Sequence, residues 1–275
     1  MRIDAHQHFW RYHPHTHGWI NDEMAVIRKD FLPEDLLPML KTHQIDGCIA
    51  VQADESRAEN EMLLSLAEQY PFIKGVVGWA DLQSAKFNEE IESYSHLKKL
   101  VGFRCIMQGK EDKLYLKNDT FIQNVALLAK VNYTYDLLIY HDQLPSLIQF
   151  VEQLPDNKLI LDHIGKPNIR QHDFRSWKEN IIEIAQHPHI YCKLSGMITE
   201  ADYKQWKYED ILPYMDAVGE AFGIDRICFG SDWPVCLVAG SYERMIHVAE
   251  KWSSQLSANE REKIFGKNTI KFYNL

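Results

Sequence analysis

Two histidines spaced two residues apart, His6 and His8, close an apolar run near the start of the chain. In an extended strand such residues share one face. Two imidazoles side by side can hold a metal ion or orient a water molecule. His163 follows the apolar run Leu159-Ile160-Leu161 and Asp162. It is a candidate proton carrier or orienting group. Asp162, of opposite parity, is expected to tie down a loop. Asp232 follows two small residues, Gly230 and Ser231, that leave space around it. A carboxylate beside imidazoles serves as a metal ligand or a general base. Its competing role is a helix N-cap, which Pro234 and the apolar Val235 make less natural. Arg104, in Gly102-Phe103-Arg104, suits bidentate binding of a carboxylate or a ring oxygen. Its competing role is an ion pair with a neighbouring carboxylate.

These residues need elements that bring them together. Eight short apolar runs recur, over 2–9, 47–53, 73–82, 100–107, 133–140, 159–164, 190–195 and 226–232. Between them lie stretches with apolar residues at three- and four-residue spacing, over 35–43, 59–69, 86–97, 120–130, 144–153, 174–186 and 208–222. Further helical patterns cover 242–252 and 259–265, with a short terminal segment to 273. Pro33 and Pro145 are expected first-turn prolines. Strands alternating with helices predict parallel βα units. An open doubly wound sheet is the rival arrangement. Eight units without a glycine-rich phosphate loop after the first favour a single closed (β/α)8 barrel over residues 1–275. In such a barrel the site lies at the C-terminal strand ends, where His6, His8, His163 and Asp232 all fall. Residues 11–28 and 197–207 break the alternation and read as loops able to cap a substrate. Trp10, Trp19, Trp79 and Trp233 lie near strand ends. Their faces suit a sugar ring, against the competing role of core packing.

Bulk properties narrow the function classes. The net charge of −9 argues against a nucleic-acid-binding face. One local arginine can still hold an anion. The five cysteines form no CxxC pair and read as buried apolar side chains in a reducing compartment. The opening residues lack the apolar stretch of a secretory signal. No segment approaches the roughly 20 apolar residues of a membrane span. A soluble cytoplasmic enzyme with no membrane partner is expected.

Taken together, the segments Asp4-Ala5-His6-Gln7-His8, Gly102-Phe103-Arg104, Leu161-Asp162-His163-Ile164-Gly165-Lys166-Pro167, Lys193-Leu194-Ser195-Gly196 and Phe229-Gly230-Ser231-Asp232-Trp233-Pro234 resemble the amidohydrolase superfamily over essentially the whole chain. The Asp162–Pro167 and Gly230–Pro234 segments look like its sugar-lactone hydrolase branch, which includes rhamnono-, fucono- and pyrone-dicarboxylate lactonases. The resemblance implies hydrolysis of a cyclic ester in sugar catabolism, with a small lactone as substrate. For such a reaction Asp232 is expected to act as general base, with His6, His8 and His163 orienting water and polarising the carbonyl. Arg104, Tyr140, Trp79 and Trp233 are then expected to bind substrate. Metal-dependent relatives place a histidine at the end of strand five. Here Tyr140 is expected in that slot, and His141 has the wrong parity. No bridging lysine stands on strand four, so a binuclear centre is not expected. The cofactor is expected to be either none or one divalent metal, zinc, on His6, His8 and Asp232. The rivals are a zinc-dependent decarboxylase of the same superfamily and a non-catalytic sugar- or metal-binding barrel.

Overall fold

A computed structural model describes residues 1–275. The eight apolar runs form eight parallel strands in the order of the sequence. They are β1 (Ile3–Gln7), β2 (Gly47–Val51), β3 (Ile73–Gly78), β4 (Leu100–Ile106), β5 (Thr134–Leu138), β6 (Leu159–Leu161), β7 (Ile190–Leu194) and β8 (Ile227–Phe229). The chain beyond β8 closes the ring on β1. Asp232 N donates to His6 O at 2.8 Å, and His8 N donates to Trp233 O at 2.7 Å. This closure excludes the open sheet and gives the (β/α)8 barrel.

Helices return the chain between strands. They are α1 (Pro33–Thr42), α2 (Arg57–Gln69), α3 (Phe87–Ile91), α4 (Asp119–Lys130), α5 (Leu144–Val151), α6 (Arg175–Ile184), α7 (Tyr208–Phe222) and α8 (Tyr242–Ser253). Local chemistry sets several of their starts. Ser56, Asn118 and Ser241 accept from backbone N–H groups of the first turns of α2, α4 and α8, which satisfies donors that the helix itself leaves free. Pro33 and Pro145 occupy the first turns of α1 and α5. Two short helices, α9 (Ala258–Glu262) and α10 (Asn268–Tyr273), end the chain.

Apolar burial falls into two bodies. The larger lies between strands and helices. The smaller fills the lower barrel with Ile3, Ala5, Ile49, Val51, Val77, Ile160 and Cys228, and is joined by Phe272 and Tyr273 of α10. Strict alternation from an inward His6 and His8 would turn Ile3 and Ala5 outward. The pairing of β1 with β2 slips by one residue between Asp4 and Gln7, a bulge that reverses strand parity. Ala5 and His6 therefore both reach the interior. Asp4 turns toward Ser231 and Tyr242 instead, and burial pushes its carboxyl up to about 6. All five cysteines are free and buried, as expected.

Candidate active site

The upper barrel is polar. His6 and His8 rise from β1 and are buried. Their Nε2 atoms lie 3.2 Å apart. His8 Nδ1 donates to Val51 O at 2.7 Å. Because a carbonyl only accepts, this bond places a His8 proton on Nδ1 and turns Nε2 toward Asp232. Asp232 Oδ1 lies 3.4 Å from His8 Nε2 and 3.9 Å from His6 Nε2.

Two of these groups owe their aim to unusual backbone. β6 ends at Leu161, and His163 and Ile164 adopt left-handed φ values of 53° and 51°. Asp232 follows β8 with φ 57°. Each such residue costs about 1 kcal/mol outside glycine, and such strain gathers at functional sites. The left-handed exit from β6 also overturns the expected role of Asp162. Both Asp162 and His163 are buried in the interior, although strand parity would have separated them. Gly196 makes room for the imidazole. A Cβ there would stand 2.5 Å from His163 Nδ1. Gly230 does the same for β1, since its Cβ would meet that of His6 at 2.7 Å.

Below the histidines lies a buried charge network. Arg104 Nη1 donates to Asp162 Oδ2 at 3.0 Å, and Nη2 donates to Gln52 O. Lys193 donates to Asp136 and lies 3.0 Å from Asp162 Oδ1. Tyr273 of α10 donates to both Asp136 oxygens. Burial pushes the Asp136 carboxyl up to about 6 against the pull of Lys193. The network compensates charges that would otherwise be costly in the interior. In the sequence, Asp136 had no assigned role and Lys193 none beyond its place in a family-like segment. Their signal was a lone charge in the middle of each of two apolar strands, and such charges must find each other.

Electrostatics divide the roles. Burial would raise the Asp232 carboxyl, but His163, His8 and Lys166 outweigh it and hold it below its ordinary value. Burial lowers His163 to about 4 despite the carboxylates beside it. Near neutral pH, then, Asp232 is ionised and His163 uncharged. A raised Asp232 pKa is not needed for a base and is not what the surroundings produce. His163 Nδ1 is bonded to Ser195 Oγ at 3.0 Å, so Nε2 is its polar atom free for the cavity.

The cavity above these groups measures roughly 540 Å³ including its open mouth. His8, Arg104, His163 and Asp232 line it, with Trp19, Gln108, Leu138 and Lys166 among the others. Arg104 thus makes the ion pair that was its competing role, with Asp162, and also lines the cavity. Trp19 comes from the 11–28 loop. Lys166 pairs with Glu200 of the 197–207 loop at 2.7 Å. The other expected substrate contacts sit elsewhere. Trp233 is buried against Phe9 and Phe31. Trp79 is half-buried on the core, its backbone held by Asn60. Tyr140 lies beyond the end of β5 and is 37% exposed, beside Lys166 at 5.6 Å. The strand-five slot facing the cavity belongs to Leu138, because β5 ends two residues earlier than its apolar run. A hydrocarbon there offers no metal ligand.

The donors His6 Nε2, His8 Nε2 and Asp232 Oδ1 can together hold a divalent metal. Ligands at zinc distances around a tetrahedral ion lie about 3.3 Å apart, close to the separations found here. An amidohydrolase family model matches residues 3–275. The chain is 38% identical to an L-fucono-1,5-lactonase of Burkholderia multivorans, over 100% of this chain and 96% of that protein. It is 32% identical to an L-fucono-1,5-lactonase of Burkholderia ambifaria, over 100% and 96%. A crystal structure of a Burkholderia multivorans amidohydrolase with bound zinc superposes with a TM-score of 0.96 at 38% identity, covering 100% of this chain and 99% of that one. The chain belongs to the amidohydrolase family.

Proposed function

We propose that this chain is a lactonase that opens a sugar-derived lactone, such as L-fucono-1,5-lactone, to its hydroxy acid. The observation that carries the reading is the buried Asp232 carboxylate, which lines the cavity together with His163 and lies 3.4 Å from His8 Nε2. Its relatives over the full length, named as lactonases, support the substrate class.

Asp232 takes a proton from water as the water oxygen attacks the lactone carbonyl. The carbonyl oxygen gains charge in that step, and hydrogen-bond donors held ready around it lower the barrier. In this reading His163 and His8, which line the cavity, orient the water and polarise that oxygen, with His6 packed against both. When the tetrahedral carbon collapses, the ring C–O bond breaks and Asp232 returns its proton to the departing alkoxide. Arg104 and Lys166 supply positive charge toward substrate oxygens and the new carboxylate. Trp19 offers an apolar face to the ring. A zinc ion on His6, His8 and Asp232 would add Lewis-acid polarisation of the carbonyl when bound.

The reading is tested with purified protein, a panel of aldonolactones and a pH indicator, with and without chelator. Acid release on L-fucono-1,5-lactone at a rate well above spontaneous opening is expected. No acceleration on any lactone of the panel would overturn it.

A further inference from the structure

The two cations that line the cavity are each matched by a carboxylate. Arg104 is paired with Asp162 at 3.0 Å. Lys166 is paired with Glu200 at 2.7 Å. Asp232 adds a further carboxylate to the same lining. The Lys166–Glu200 pair is largely withdrawn from water, its side chains 15% and 17% exposed, so solvent and salt screen it less than a surface pair.

The backbone fixes both ends of this pair. Lys166 has φ 45°, donates from its N–H to His163 O at 2.9 Å, and accepts at its own carbonyl from His141 Nδ1 at 3.2 Å. Glu200 ends a short turn, Ile198–Glu200. The turn is seated by the buried Met197 and Ile198 and by the Thr199 Oγ1 bond to Gly196 O at 2.8 Å. Burial would lower the Lys166 ammonium, but Glu200, with Asp232 beyond it, outweighs this and holds it above its ordinary value. Lys166 therefore stays charged, with its charge directed at the 197–207 loop.

An ammonium carries three donors. One serves Glu200, and the others are free for substrate hydroxyls. Gln108 lines the same cavity with an amide that both donates and accepts, as a hydroxyl does. Such walls suit neutral hydroxyls. A carboxylate on the ligand meets cations whose attraction is offset at close range by Glu200, Asp162 and Asp232.

We propose that Glu200 is a positioning residue that sets the charge preference of the cavity, so that pairing with Lys166 favours neutral polyhydroxy ligands over anionic ones. Placing like charge against an unwanted ligand is a means of specificity as effective as added attraction. The pair also acts on the product. Ring opening turns a neutral lactone into an anion. Lys166 attracts the new carboxylate, while Glu200 limits how tightly it is kept. This preference deepens the lactonase reading and rests on it.

The test compares L-fuconate with L-fuconamide, which differ in charge and share every hydroxyl. Dissociation constants are measured by calorimetry on wild type, Glu200→Gln and Glu200→Asp, so no turnover is needed. Glu200→Gln keeps the length of the side chain and a hydrogen bond to Lys166 but removes the charge. It should bind L-fuconate at least about tenfold more tightly than wild type (an energy of ~1.4 kcal/mol). Binding of L-fuconamide should stay within about twofold, since a neutral ligand gains no Coulomb energy from the change. Glu200→Asp restores the charge and should restore the wild-type preference. An acid-to-amide ratio unchanged in Glu200→Gln, or both ligands weakened alike, would overturn the role of Glu200 and leave the lactonase reading standing. Binding of neither ligand by any of the three proteins would overturn both.

Discussion

At the level of single residues, the site depends on positions that carry no reactive group of their own. Gly196 has φ +66° and leaves no room for a Cβ beside His163 Nδ1. Gly196→Ala is expected to push the imidazole off Ser195 and lower kcat at least about tenfold, in line with the sensitivity of catalysis to small displacements. Circular dichroism should show the fold retained. Unchanged kcat would mean that His163 need not sit where the structure holds it. The side chains proposed to be catalytic were legible in the sequence as polar residues ending apolar runs. Their partners were harder to see. Val51 acts through a backbone carbonyl, and Lys193 reads as an ordinary charge until Asp136 and Asp162 are known to face it.

At the level of elements, the eight strands and their order were readable because buried parallel strands are continuous apolar runs. What failed was parity. The bulge in β1 and the left-handed exit from β6 turn side chains against the two-residue alternation, and neither leaves a glycine or proline at the turning residue to announce it. Tyr140 was misplaced for a related reason, since the apolar run outlasts β5. The 11–28 loop was legible as an interruption, and it does bring Trp19 to the cavity. Trp19 stands edge-on to Trp10 with ring centroids 5.8 Å apart, and Trp10 is fixed by donation to Lys29 O at 2.9 Å. Trp19→Ala is expected to raise KM for a sugar lactone about tenfold with kcat within about twofold, the pattern of an interaction made equally in ground and transition states. Steady-state kinetics check this, and a fall confined to kcat would assign Trp19 a different role.

At the level of the whole molecule, buried acids set how stability responds to pH. Glu59 begins α2 behind the site and accepts from Ala53 N. Burial, aided by Asp54, pushes its carboxyl up to about 8 against Arg104 and that backbone bond. The folded chain keeps this proton up to about pH 8, while the unfolded chain releases it near 4.5. The stability it contributes is therefore complete below pH 4.5 and is lost as pH rises toward 8. Thermal unfolding should show wild type losing stability across this window. Glu59→Gln keeps an acceptor for Ala53 and should flatten the slope, gaining on the order of 3 kcal/mol relative to wild type between pH 5 and pH 8. Parallel curves would mean that Glu59 ionises freely in the fold. The lower barrel is sealed in the same molecule-wide manner, with α10 bringing Tyr273 back to Asp136 beneath the site.

The general base is the centre of the account. Hydrolysis of L-fucono-1,5-lactone by Asp232→Asn, compared with wild type in metal-analysed preparations, addresses it most directly. The carboxylate's role as base and returning acid predicts a loss of at least ~100-fold in kcat, with the folded protein still binding the lactone. Turnover by the variant near the wild-type rate would contradict it.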